Sequence, residues 1–201
     1  MFIQTEDTPN PLSMKFIADR AVLGLDASGR PAVGMDFPTE ETAKVSPLAA
    51  TLFAIDGVSG VFLGPDFVTV TKAEGTDWAH IKPAVLGAIA DFLTAGIPVI
   101  DKSVAAQPAR KPATSVEDYE GDDREIVEQI IELIDTRVRP AVAADGGDIA
   151  FQHWEPRTGV VFVSLHGSCS GCPSSTMTLK AGIENMLKHY LPEIAKVEAV
   201  A

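Results

Sequence analysis

The chain has two cysteines, Cys169 and Cys172, and both lie in the stretch "HGSCSGCPSSTMTLK", residues 166–180. Thiols separated by two intervening residues can chelate a metal or cycle between dithiol and disulfide. Gly167 and Gly171 accompany them, so the loop can wrap closely and turn backbone N–H groups toward a bound anion. Pro173 fits the first turn of a following helix, with Ser174 or Ser175 placed to accept its free N–H groups. A helix N-terminus beside both sulfurs favours thiolate, the form that binds metal or attacks disulfides.

Four chemistries compete for this pair. Packing as two small reduced hydrophobes is argued against by the spacing, the glycines and the helix terminus. A dithiol–disulfide couple suits a strand–CxxC–helix context, but the intervening residues are Ser-Gly, and the element order lacks the βαβ start of a thioredoxin-like sheet. Zinc could draw on His166, Cys169 and Cys172, with His153 as a fourth ligand. No second ligand pair exists for it, and a lone histidine at a strand end is commonly a surface or packed residue. An iron–sulfur cluster normally takes four thiolates. One chain supplies two; two chains about a two-fold axis supply four, with the cluster on the axis.

The elements that must position the pair are legible on either side. Ile126, Ile130, Ile134 and Val138 recur every fourth residue, which predicts an amphipathic helix with Asp122 or Asp123 as cap. Pro140 should kink or end it. "DGGD" (145–148) then supplies a turn in which Gly takes positive φ and Asp145 and Asp148 act as turn residues. Strands "IAFQHW" and "GVVFVSL" follow, joined by "EPRTG", and the second runs into the cysteine loop. A second helix has Leu179, Ile183, Met186 and Tyr190 as its apolar stripe and Pro192 as its stop; "AKVEAV" is a last strand. The order is α-β-β-α-β.

Upstream, "MFIQT", "MKFIA" and "AVLGL" read as strands, and "SPLAATLFAI" as a helix capped by Ser46 with Pro47 first. "VSGVFL" and "FVTVTK" flank a Gly-Pro-Asp turn as a hairpin. "DWAHIKPAVLGAIADFLTAG" is a long helix with Pro83 near its first turn, the stripe Ile81, Val85, Ile89 and Phe92, and Gly96 as its stop. His80 on this helix reads as a solvated residue. Residues 101–122, rich in Ala, Pro, Ser and charge, read as a mobile linker. The expectation is therefore two small α+β domains, 1–100 and 123–201, joined by a flexible linker at 101–122.

Composition narrows the functional classes. The 201 residues are 46 % hydrophobic and 22 % charged, with a net charge of −12, ordinary for a globular protein with real cores. The acidity is shared: residues 120–201 hold 13 acidic and 7 basic side chains, the remainder 15 and 9. No basic patch is present for nucleic acid or an anionic membrane, and no apolar run is long enough to span a bilayer. The start shows neither a signal peptide nor an Arg-rich transit peptide. The expectation is a cytoplasmic protein, or a mitochondrial matrix protein from which a presequence has been removed.

The segments "RVRPAVAADGGDI" and "GSCSGCPSSTMTLKAGIENML" resemble the NifU-like C-terminal domain of Nfu-type iron–sulfur proteins, and "MFIQTEDTPNPLSMKFI" resembles the Nfu N-terminal domain. The resemblance implies a scaffold or carrier rather than an enzyme. It implies a 4Fe–4S cluster held between two subunits by Cys169 and Cys172 of each, with 2Fe–2S also compatible with four thiolates. The implied partners are a second copy of the chain, recipient apo iron–sulfur proteins and upstream cluster-assembly proteins. For the N-terminal domain it implies a modulatory or partner-contacting role. A carrier must release its cargo, so half a site per subunit, opened at an interface, suits that task. A flexible linker would let the C-terminal domain reach different partners.

Overall fold

A computed structural model of the chain describes residues 2–25, 29, 31–101, 114–169 and 173–200, with residues 173–176 described for their backbone only. The fold class is α+β, as expected, in two units.

The first unit is a five-stranded antiparallel sheet in the order β1-β2-β5-β4-β3: β1 (Ile3–Asp7), β2 (Ser13–Ala18), β3 (Met35–Phe37), β4 (Val58–Leu63) and β5 (Phe67–Lys72). The β4–β5 hairpin forms where the Gly-Pro-Asp turn demanded it. Helices α1 (Glu40–Ala43), α2 (Pro47–Phe53) and α3 (Trp78–Ala95) complete the unit. Ser46 caps α2 by accepting from Ala49 N at 3.1 Å. Gly96, at φ 68°, ends α3. Ile81, Val85, Ile89 and Phe92 are all buried. Pro83 lies in the second turn of α3, one turn further in than the sequence suggested. "AVLGL" is not a strand: Val22 and Leu23 hydrogen-bond to the Gly64–Pro65 turn, and Leu25 makes only an isolated bridge to Pro31. β3 and α1, too short for a periodic signal, are additional.

Strand alternation divides this sheet into two unlike faces. Met14, Phe16, Val61, Leu63, Val68 and Val70 turn toward α2 and α3 and form the core. On the other face, cross-strand registers place Glu6, Lys15, Thr69, Phe62 and Asp36 in one row across all five strands. Lys15, Phe62, Phe67 and Thr69 on that face are buried too, because the second unit covers them.

The second unit has the expected order. Helix α4 (Asp122–Leu133) leads through a π-helical turn (Ile134–Val138) into α5 (Arg139–Ala144), then β6 (Gly147–Glu155), β7 (Val160–Gly167), α6 (Pro173–Tyr190) and β8 (Lys196–Val200). β6 pairs antiparallel with β7, and β8 joins β7 in parallel after the α6 crossover. Pro140 does not end the first helix. The turn before it widens, with Arg139 N–H donating to Ile134 O, which relieves the missing donor and the ring clash a proline brings. Neither Asp122 nor Asp123 is the cap; Gly121, at φ 57°, occupies that position and both acids fall in the first turn, where they still favour the positive helix end. The buried stripe of α6 is Ile183 and Leu187, continued by Leu191. Leu179 and Met186 flank it, and Tyr190 is 46 % exposed beneath the Arg137 guanidinium.

Of the linker reading, residues 102–113 lie outside the described residues. Residues 114–119 lie on β6: Thr114 N–H donates to Gln152 O, and the Tyr119 hydroxyl bonds both the N–H and the carbonyl of Trp154 at 2.9 Å.

Candidate functional site

β7 ends at Gly167, and the chain continues through Ser168 to Cys169. α6 begins at Pro173, so the strand–CxxC–helix context is borne out. Cys169 is 6 % exposed and packs into the core of the second unit. Cys172 lies outside the described residues, as do Gly171 and the side chains of Ser174 and Ser175.

The loop rests on the Asp145–Asp148 turn. Ser168 N–H donates to Gly146 O (3.3 Å), and its hydroxyl donates to Asp145 O (2.5 Å) while standing 3.8 Å from the Cys169 sulfur. Both glycines of the turn are sterically required. Gly146 has φ 80°; a Cβ on Gly147 would stand 2.6 Å from His166 O and 2.9 Å from the Cys169 sulfur. A Cβ on Gly167, at φ 67°, would stand 2.7 Å from Gly146 O and 3.0 Å from Gly147 Cα.

Asp148 is more than a turn residue. It lies in β6, 4 % exposed, and its carboxylate accepts from Arg139 Nε (3.0 Å), Ile149 N (2.8 Å) and Gly34 N (3.1 Å). Arg139 also pairs with Asp135 at 2.8 Å. A buried carboxylate with three donors is satisfied, and here it ties α5, β6 and the first unit to the turn beneath the cysteine. Asp145 keeps its expected role, ending α5.

The histidines do not assemble with Cys169. His153 is exposed on β6, opposite Phe162, with Nδ1 2.9 Å from the Tyr119 hydroxyl. His166 stands opposite Asp148, bonded to Ser164 Oγ at 3.0 Å and 3.8 Å from the Asp36 carboxylate. Positions 148 and 153 are five residues apart along β6, roughly 16 Å at strand rise. Among the described residues, no group of three or more His, Cys, Asp or Glu side chains is placed to hold a metal. His80 lies exposed on α3.

α6, which leads away from the loop, is pinned at its middle. Glu184 accepts from Lys188 Nζ (2.6 Å) and Val197 N (3.0 Å). The Lys188 hydrogen bond first, then that of Val197, holds its carboxyl below the usual range.

Residues 3–96 match the family described as the N-terminal domain of scaffold protein Nfu/NifU, and residues 130–198 match the NifU-like domain. The chain belongs to the Nfu family. Its full length aligns at 48 % identity with the mitochondrial NFU1 iron–sulfur cluster scaffold homolog of Drosophila sechellia, and this Nfu chain covers 65 % of that protein. Over 98 % of its length it is 46 % identical to the mitochondrial NifU-like protein 4 of Arabidopsis thaliana, again covering 65 % of the relative. A solution structure of a NifU-like protein from Saccharomyces cerevisiae superposes with a TM-score of 0.42 at 29 % identity, covering 51 % of this chain and 86 % of that one. The relatives' names overturn the expectation of a cytoplasmic protein: they are mitochondrial, and this Nfu chain spans about two-thirds of their length. A reading of the first residues carried no weight against that.

Sequence reasoning did not find Gly147, Ser168 and Asp148 as the supports of Cys169, nor Thr69 and Lys15 as the neighbours of Gly146 from the other unit. The "DGGD" run was the available signal, since two adjacent glycines permit an approach no other pair allows.

Proposed function

We propose that this Nfu chain is a mitochondrial iron–sulfur cluster scaffold and carrier. Cys169 and Cys172 of two copies supply four thiolates to one 4Fe–4S cluster, which the dimer hands to apo iron–sulfur proteins after receiving it from upstream assembly proteins. The cluster is cargo, and the protein turns over no substrate. The observation that carries this reading is the two-thiol motif standing between β7 and α6 in a chain whose relatives are named as cluster scaffolds. Two thiols per chain is half of what a cluster takes, and sharing across an interface gives a route for release.

Anaerobic reconstitution with iron and sulfide tests it, with about four irons per two chains expected and a dimeric native mass. Cys169→Ser or Cys172→Ser should each abolish iron binding while the far-ultraviolet spectrum stays unchanged. A monomer with one tightly held zinc, or efficient reduction of a disulfide substrate without iron, would replace this reading by a zinc or dithiol one.

A further inference from the structure

The outer face of the N-terminal sheet meets the C-terminal domain at the turn on which Cys169 rests. Four members of the cross-strand row touch it. Lys15 Nζ donates to Ala143 O (2.9 Å) and Ala144 O (3.2 Å), closing the carbonyl end of α5 from the other domain. Thr69 donates to Gly146 O at 2.7 Å. The Phe62 ring lies against Gly167, 3.0 Å from where a Cβ would stand, and Asp36 faces His166. Gly34 N–H adds the bond to Asp148. Lys15 is 8 % exposed, and its charge is met by the two carbonyls, Glu6 at 3.9 Å and the Phe67 ring at 4.7 Å.

We propose that this docking is the closed state of a gate on the cluster site, an inference that rests on the carrier reading above. In the closed state the N-terminal sheet holds the Asp145–Asp148 turn in place, and the turn keeps Cys169 buried. With Cys169 buried at 6 % exposure and its sulfur against Gly147, this arrangement does not present the thiolate to an iron shared with a second chain. Loading therefore requires the loop to leave the turn, or the turn to move with it. Either motion strains contacts made by Lys15, Thr69 and Phe62. The contacts that reach the turn are polar bonds from Lys15, Thr69 and Gly34 beside the Phe62 ring, and interfaces with such a polar share permit domains to separate. By reciprocity, whatever weakens docking exposes Cys169, and whatever loads the site weakens docking. The N-terminal domain is then a regulator of when the thiol becomes available.

The test is thiol protection in the full chain. Reduced, metal-free protein is treated with iodoacetamide, and alkylation at Cys169 is followed by site-resolved mass spectrometry for the natural sequence and for Lys15→Met combined with Thr69→Val. Alkylation about tenfold faster in the double variant is expected, with a larger radius of gyration by X-ray scattering. Equal rates overturn the gate, whether or not the domains separate. Hydrogen exchange on the unaltered chain needs no substitution and decides if the variant does not fold. Amides of Gly146–Ile149 and Thr69 should exchange faster once the cluster is loaded; unchanged or slower exchange there overturns the gate. Failure to reconstitute any cluster defeats the carrier reading, while the alkylation rates still decide the docking.

Discussion

Gly147 lies directly beneath Cys169, so close that one added methyl would stand 2.9 Å from the sulfur and 2.6 Å from the His166 carbonyl. The backbone oxygen cannot swing aside as a flexible side chain can. Gly147→Ala should therefore push the β7 end and the cysteine loop off the turn. The expected cost is about 1–3 kcal/mol in urea denaturation, as for overpacking elsewhere, together with lower iron content after reconstitution. Gly182→Ala, where nothing lies within 4 Å of the added methyl, is the control: it should leave iron content unchanged and raise stability slightly, since Ala favours a helix over Gly.

Asp148 offers a second handle on the same platform. Asp148→Ala leaves the Gly34 and Ile149 N–H groups without their acceptor and removes one of the two carboxylates facing Arg139. About 2–4 kcal/mol should be lost. Asp148→Asn keeps an acceptor and should lose less. Thermal melts monitored by circular dichroism separate the two.

How much of this was visible beforehand depends on range. The β4–β5 hairpin and the α3 stripe of Ile81, Val85, Ile89 and Phe92 were legible because turn chemistry and periodicity are local. The α6 stripe differs because Tyr190 and Leu187 are both apolar enough to fit a helical pattern; burial in the C-terminal core chose Leu187. Pro140 left both a kink and a stop open, because a π-helical turn leaves no sequence mark that decides between them. The docked sheet face had a signal that passed unused. "VFL" in β4 and "FV" in β5 are apolar on consecutive residues, the pattern of strands covered on both sides. What covers them is non-local, and so is Asp148's bond to Gly34 across 114 residues. At the site, the thiols and their place before a helix were readable, whereas the turn supporting Cys169 was not.

Tyr119 fastens the chain entering the C-terminal domain. Its hydroxyl has one proton. Donating it to Trp154 O and accepting from Trp154 N leaves His153 Nδ1 to act as a donor. Tyr119→Phe strips Trp154 of both bonds in a buried position, and about 1–3 kcal/mol should be lost. Nitrogen-15 shifts of His153 should report Nδ1–H in the natural chain and a change of tautomer balance in the variant.

Glu184 predicts an acid-sensitive step at the far edge of the same domain. It bonds Lys188 on its own helix and Val197 N–H at β8, and these hold its carboxyl below the usual range. A folded-state value below the unfolded one means that the unfolded chain binds the proton first. The stabilisation is thus fully present above the unfolded value of about 4.3 and is lost as pH falls through the lowered folded value. Glu184→Gln abolishes that dependence while keeping the shape. At neutral pH the variant should melt below the natural chain, and the two melting temperatures should converge as pH drops beneath about 4. A gap that stays constant down to strong acid would place the loss in packing rather than charge. Because β8 pairs with β7 in parallel, and β7 leads to Cys169, hydrogen exchange at Val197 and along β7 during the same titration should show whether loosening at this edge reaches the cysteine loop.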